Sequence, residues 1–353
     1  MRTMSKGDLY AQMRRNRLRL AGAVGLHSLT AMCLSALVLY LALYRYDVKP
    51  GFWFWTSLIW LLFLLYALLR YALGGQWIFR SLVILPPWET DIRLSDALDA
   101  ARLAAGMQAR VRLLCIPNAD INSFSLALPD GTFALFATTG IAEKLPQRER
   151  VAVLAHELAH MLSGDALLYT VMLRLTGRRA MRRMVRGAGM SGEDPLRIAG
   201  SFSAVAALLM SGFLLLALFR SESAVSDGPR GFFVSGPADF AAIFVLVFLL
   251  FIFSLPALMH KLLQLLLDRR REYSADLKAA YLTRDPEAVF LAVKHAAEDV
   301  RDVMLLPACF DALLFHPVVD YTSFNPFGTQ PTMADRMRKL RDSFPSVCFD
   351  EVQ

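Results

Sequence analysis

The sequence predicts a membrane α-helical protein with four transmembrane helices and an α+β domain outside the bilayer. Hydrophobic residues make up 56% of the chain, and the mean hydropathy is +0.41, well above ordinary soluble usage. The excess lies in four runs without a charged residue, each long enough to cross a membrane as a helix: 20–44, 51–69, 198–219 and 240–259. The polar segments 75–196 and 268–353 interrupt these runs, and together they are long enough for one core.

The domain organisation follows these runs. The predicted parts are the N-terminal tail with helices one and two (1–74), the first part of the α+β domain (75–196), helices three and four (197–267), and the second part of the domain (268–353). Lys and Arg are abundant in the tail, in the first polar segment and directly after the fourth run, but scarce in the two short connections. The positive-inside rule therefore predicts that both termini and the α+β domain are cytoplasmic. The first run is expected to be an uncleaved anchor.

The distribution of charge indicates the binding partner to expect, and the spacing of the cysteines indicates whether they form disulfides or a metal site. The net charge of +7 is concentrated beside the runs, which favours the lipid bilayer as the partner and argues against nucleic acid. The basic segment 178–192 is predicted to be either an interfacial helix or a solvated loop. The cysteines have no metal-site spacing, so we expect free thiols without a disulfide or a cysteine–zinc site; they are Cys33, Cys115, Cys309 and Cys348.

Several elements of the α+β domain can be placed. Ser95 is expected to cap a helix that runs to about Ala105 and ends at Gly106. Alternating apolar and polar residues predict a strand over 111–116. The stretches 123–128 and 132–137, joined by a Pro-Asp-Gly turn, predict a β-hairpin.

One motif in the first polar segment suits metal chemistry. His156-Glu157-Leu158-Ala159-His160 puts two imidazoles on one helix face, where both can bind a zinc ion. Glu157 lies beside the open coordination position and can accept a proton from water there. Apolar residues at helical spacing predict a helix over 147–162 that ends at Gly164, and its charged first turn argues against a place inside the bilayer. The alternative is an ordinary amphipathic helix with two histidines on its polar face.

A catalytic zinc ion needs a third protein ligand, with its fourth position kept for water. The best candidates follow the fourth run, in Glu272-Tyr273-Ser274-Ala275-Asp276, where two carboxylates lie four residues apart. One can bind the metal while the other accepts the free N–H of a ligand histidine. Alone, this spacing is more typical of a solvated helix face.

Together these motifs resemble the HtpX-type membrane zinc metallopeptidases, relatives of the type I CAAX prenyl proteases. H-E-L-A-H, two later apolar runs and E-Y-S-A-D occur in the order of that family. Residues 121–125 (INSFS) resemble its N-A-F-A edge-strand element, and residues 136–141 (FATTGI) its F-V-T-x-G-L element. Asp165 matches an Asp five residues after the second histidine. Pro331–Arg336 resembles the H-P-P-x-x-x-R element, with Gln330 where the family has histidine.

The resemblance implies an α+β gluzincin-type zinc metallopeptidase domain with one Zn²⁺ per chain. The implied zinc ligands are His156, His160 and Glu272, with Glu157 as general base. Asp276 is expected to hold His156, and His316 competes with Gln330 for the role of the family histidine. The residues implied to support the ligands or the transition state are Asp165, Asp276, Gln330 and Arg336, and those implied to bind substrate are Asn122, Ser123, Phe124 and Ser125.

The implied function is endoproteolysis of membrane or misfolded proteins, bound as extended strands, in the quality control and stress response of a bacterial inner membrane. A prenyl-protein protease is one alternative, but it needs a large intramembrane chamber, which four spans are too few to enclose. A non-catalytic membrane scaffold with a structural zinc is another, but such a site has no use for the general base Glu157. Native substrates and the oligomeric state stay open.

Overall fold

In the computed structural model, the described residues are 14–22, scattered positions between 25 and 78, 82–176, 183–184, 270–299, 306–307, 310, 313–317 and 330–349. The predicted spans at 198–219 and 240–259 lie outside these residues, as do most positions of the spans at 20–44 and 51–69. Within the described part of the chain, no single helix is long and apolar enough to cross a membrane. Gln147–Ser163 and Asp165–Val171 meet that test only as a pair, bent by 74° at the break.

The chain divides into two compact units, one of residues 1–24, 70–189 and 263–353, and the other of residues 25–69 and 190–262. The predicted domain boundaries after residues 74, 196 and 267 stay a prediction. The described elements of the first unit are a helical stretch at 14–22, a 3₁₀ turn at Pro87–Glu89, α1 (Ile92–Ala105), β1 (Val111–Ile116), β2 (Ser123–Ala127), β3 (Phe133–Thr138), α2 (Thr139–Lys144), α3 (Gln147–Ser163), α4 (Asp165–Thr176), β4 (Arg183–Met184), α5 (Arg270–Thr283), α6 (Pro286–Glu298), β5 (Leu306–Pro307) and α7 (Met333–Ser343).

Helix α1 begins one turn earlier than predicted. The Asp91 carboxylate caps the helix by accepting a hydrogen bond from the Arg93 N–H at 2.8 Å, so the predicted cap at Ser95 was wrong. The predicted end is confirmed, because Gly106 closes the helix with a φ of 59°, which glycine adopts without strain.

Three strands form a small sheet in the order β1–β3–β2. β1 runs parallel to β3, and β2 pairs antiparallel with β3, so that Phe124 lies opposite Phe136. The predicted strand over 111–116 and the predicted hairpin are therefore confirmed. The rings of Phe124 and Phe136 stack with their centroids 4.4 Å apart, which packs β2 on the interior while leaving it at an edge of the sheet.

A close backbone approach joins β3 to α2. The Gly140 N–H donates a hydrogen bond to the Asn118 carbonyl at 2.9 Å. A Cβ atom at Gly140 would collide with the backbone carbonyls of Ala119 and Asp120. Only glycine fits this position, which gives a physical reason for the glycine in the FATTGI element.

Helix α3 lies at the centre of the unit and packs against α1, α5, α6 and β2. It is buried along most of its length. Gly164 ends it with a φ of 77°, and the Gly164 N–H bonds the carbonyls of His160 and Met161. The predicted helix and its stop are confirmed, and α4 begins at the next residue.

The second half of the chain closes this unit with α5, α6 and α7. Asp285 caps α6 and Thr332 caps α7 through their side chains.

β4 pairs antiparallel with β5, so this part of the basic segment 178–192 is a short strand, whereas we expected a helix or a loop. The buried Cys115 and the exposed Cys348 are free thiols, and the other two cysteines lie outside the described residues.

Candidate metal centre

The central helix and the helix that follows the fourth apolar run bring the predicted ligands together. α3 places His156, Glu157 and His160 in the interior, where each is less than 5% exposed. α5 packs along α3 and brings Glu272, which is 2% exposed, to the same point. Two segments more than a hundred residues apart in sequence thus meet at one buried site.

Three atoms at this point form a nearly equilateral triangle. His156 Nε2 and His160 Nε2 are 3.1 Å apart. Glu272 Oε2 lies 3.4 Å from the first and 3.5 Å from the second. Nitrogen and oxygen ligands of tetrahedral zinc, at about 2.0–2.1 Å from the metal, lie about 3.3–3.4 Å from one another. The side chains present therefore fit a zinc ion.

The surroundings of His160 favour a positive charge on its ring. Burial lowers the pKa of His160, but the Glu272 charge and the Asp165 carboxylate, 3.2 Å from His160 Nδ1, outweigh it and raise that pKa to about 10. Burial raises the pKa of Glu272, yet the two histidines hold it well below its usual value. A divalent cation satisfies the same demand for positive charge as a proton does.

Asp276 and Arg336 form a buried ion pair next to His156. Asp276 Oδ1 lies 2.8 Å from His156 Nδ1, and both side chains are 1% exposed. Arg336 binds both oxygens of Asp276, at 2.8 and 2.6 Å, and donates to the Phe315 carbonyl at 2.5 Å. The Phe315 ring in turn meets His156 edge-on, with centroids 5.0 Å apart. This arrangement fixes the orientation of the imidazole.

Glu157 has one oxygen anchored and one without a partner. Ser123 Oγ donates a hydrogen bond to Glu157 Oε1 at 2.8 Å. Glu157 Oε2 is buried and has no hydrogen-bond partner within the described residues. A buried carboxylate oxygen without a donor is costly, so its persistence is typical of a group that works on a ligand.

Part of the predicted substrate edge is occupied by the chain itself. The Phe315 N–H donates to the Ser123 carbonyl at 2.8 Å. The side-chain amide of Asn122 accepts a hydrogen bond from the His316 N–H at 3.1 Å and donates one to the His316 carbonyl at 2.7 Å. Phe124 points into the interior, as its stacking shows. By the register of the hairpin, Ser123 and Ser125 both turn their N–H and carbonyl away from β3. Ser123 is already paired with Phe315, so Ser125 is the next residue along β2 whose backbone groups point away from β3.

Gln330 contacts the segment that carries His316. Gln330 Nε2 donates to the Leu314 carbonyl at 2.9 Å, two residues before His316. Both side chains are buried, with exposed fractions of 2% and 3%. Gln330 directly precedes the segment that leads into α7 and Arg336.

Sequence reasoning missed the contacts made by segment 313–317 and the bond from Ser123 to Glu157. One signal was available for the bond, because the chain has serine at both positions where the resembling N-A-F-A element has alanine. No pattern in the sequence pointed to the pairing of Phe315 with Ser123, which joins residues far apart in the chain.

Asp276→Ala is expected to weaken zinc binding by roughly 10–100-fold, the usual effect of removing a partner of a ligand histidine. The variant loses the carboxylate next to His156 and leaves the buried Arg336 without its ion-pair partner. Competition with a chelator measures the affinity. Asp342→Ala, at an exposed position of α7, serves as the control and is expected to bind like wild type. Wild-type affinity in Asp276→Ala would refute the predicted role.

The chain is similar to known proteins. The sequence model of peptidase family M48 matches residues 96–343. The Protease HtpX homolog of Acidiphilium cryptum is 28% identical over 254 residues, covering 70% of this chain and 73% of its own. The homolog of Acaryochloris marina is 29% identical over 274 residues, covering 75% and 79%. The crystal structure of S. mikatae Ste24p covers 92% of this chain and 67% of its own, with 17% identity and a TM-score of 0.41.

Proposed function

The chain belongs to peptidase family M48, and from this premise we propose that it is a membrane-integrated endopeptidase that works with one zinc ion. It is a metalloprotease similar to the HtpX homologs. The observation that carries the proposal is the fit of His156, His160 and Glu272 to one zinc ion, beside a Glu157 oxygen that has no partner in the described part of the chain.

The proposed chemistry divides the work between the metal and the protein. Zinc, when bound, would acidify a water molecule and polarise the carbonyl of the scissile peptide bond. Glu157 would accept the proton of the attacking water through Oε2, while Ser123 holds Oε1 in place. Glu157 would then return the proton to the leaving amine. Asp165 and Asp276 would keep the imidazoles of His160 and His156 in orientation.

The oxyanion of the tetrahedral intermediate needs a hydrogen-bond donor. We propose Gln330 for this role, with His316 as its competitor. A neutral amide donates a hydrogen bond but brings no positive charge, so it should stabilise the oxyanion less well than a protonated imidazole. Gln330 would thus give a slower enzyme than histidine at the same place.

We propose that the protein is a multi-pass protein of a bacterial inner membrane. The support is the set of four uncharged runs, whose lengths suit a bilayer, together with the distribution of Lys and Arg. This topology puts both termini and the metal centre in the cytoplasm. The proposed substrates are membrane or misfolded proteins that reach the site as extended strands.

Strand addition at the edge of β2 would bind such substrates. Asn122 and Ser123 are already paired with segment 313–317, so the proposed docking point is Ser125, which is 4% exposed and whose backbone N–H and carbonyl point away from β3 by register. Backbone pairing recognises an extended peptide with little regard to its sequence. This suits a protease that acts on unfolded chains.

Ser125→Pro is therefore expected to raise KM severalfold, because proline removes the N–H that would pair with the substrate. Ser125→Ala is the matched control: it removes the hydroxyl and keeps the N–H, so its KM should equal that of wild type. Zinc content is measured for both variants to show that the centre is intact. An unchanged KM in a zinc-loaded Ser125→Pro variant would exclude this docking point.

Cleavage of an unstructured polypeptide by the full-length protein in detergent tests the proposed function. We expect new termini at internal peptide bonds, identified by mass spectrometry. A prenyl-protein protease would instead cleave only near the C-terminus of a prenylated peptide. A zinc-binding scaffold would cleave neither substrate.

A further inference from the structure

The helical stretch at 14–22, whose last three residues lie in the first predicted span, contacts the rest of its unit through the buried side chain of Asn16. Arg14, Arg15, Arg17 and Leu18 are exposed, whereas Asn16 is 4% exposed. Asn16 is the only residue of 14–22 that is buried. A polar residue buried alone on an exposed, basic helix indicates a specific contact.

That contact lies directly behind a proposed zinc ligand. Asn16 Nδ2 donates to the Ser163 carbonyl at 2.9 Å and to Asp165 Oδ1 at 2.6 Å. The other oxygen of Asp165 lies 3.2 Å from His160 Nδ1. Asp165 is 1% exposed, so water does not readily replace a lost donor. The Asn16 amide also holds the end of α3 at Ser163, three residues after His160.

We propose that Asn16 is a positioning residue of the metal centre, which acts on His160 through Asp165. The N-terminal segment is thereby part of the structure that supports zinc. The inference rests on the proposed function, since it assumes that His160 binds zinc. Asn16 is suited to this task because it is a neutral donor: it fixes Asp165 Oδ1 while leaving the negative charge of the carboxylate to act on the imidazole.

Zinc affinity of the full-length protein in detergent, measured by competition with a chelator, tests the proposal. Asn16→Ala is expected to bind zinc about 3–10-fold more weakly, less than the loss of about 10–100-fold expected for a direct partner such as Asp165. Asn16→Asp keeps the size of the side chain but places a second carboxylate against Asp165, so its loss should be larger. Leu18→Ala, at a 61% exposed position of the same helix, is the control and should match wild type.

A double-mutant cycle separates positioning from a general effect on folding. If Asn16 acts through Asp165, then Asn16→Ala should change the zinc affinity of the Asp165→Ala protein by less than 2-fold. Equal losses in both backgrounds would mean a merely structural role and would overturn the proposal. Wild-type affinity in Asn16→Ala would overturn it as well, while the proposed function stands. If the wild-type protein binds no zinc, the proposed function itself is refuted.

Discussion

Glu157→Gln is expected to lower kcat by about 10²–10⁴ while zinc binds as in wild type, since general bases typically contribute a factor of this size. Glutamine has the shape of glutamate but cannot accept the proton of the attacking water. It can still accept the hydrogen bond that Ser123 now donates to Glu157 Oε1, so the local structure should persist. Hydrolysis of an unstructured polypeptide and metal analysis of the same preparation measure both quantities.

Glu149→Gln is the matched control for this result. It makes the same change about two turns earlier on α3, at a buried glutamate that pairs with His295 at 2.7 Å and lies away from the metal centre. We expect it to keep both zinc and activity. A Glu157→Gln protein that cleaves as fast as wild type would exclude Glu157 as the general base.

Glu272→Ala is expected to bind zinc more weakly by a factor larger than the roughly 10–100-fold attributed to outer partners, because it removes one of the three proposed ligands. The loss leaves His156 and His160 without the carboxylate that lies 3.4 and 3.5 Å from them. Metal analysis after dialysis against a weak chelator measures the loss, and activity should fall with the bound metal.

Glu143→Ala, at an exposed position of α2, is the control for this substitution and should retain zinc. A Glu272→Ala protein that holds one zinc ion with wild-type affinity would show that the third ligand lies elsewhere. The proposed ligand set would then have to be replaced.

Local signals in the sequence were enough to predict α3 and the hairpin. The apolar spacing of α3, its stop at Gly164 and the turn at 129–131 each depend on a few neighbouring residues, and local backbone preferences decide them. The start of α1 was misplaced because Asp91 and Ser95 are both good caps, and the bond from Arg93 to Asp91 decided between them. Local patterns therefore fix the existence of an element better than its ends.

The contacts around the metal centre could not be predicted from local patterns of this kind. We predicted from their spacing that Glu272 and Asp276 act together with the motif helix. The reason is that a catalytic zinc ion needs a third protein ligand, and a ligand histidine needs a hydrogen-bond partner. The bonds from Asn16 to Asp165 and from Phe315 to Ser123 join residues 149 and 192 positions apart, and no chemical demand visible in the sequence names them. Such contacts are set by how the elements pack.

Metal dependence of proteolysis tests the central claim most directly. The account predicts one zinc ion per chain in the purified full-length protein, loss of cleavage of an unstructured polypeptide when a chelator removes the zinc, and recovery when zinc is added back. Cleavage that continues at the same rate in protein free of zinc would contradict it.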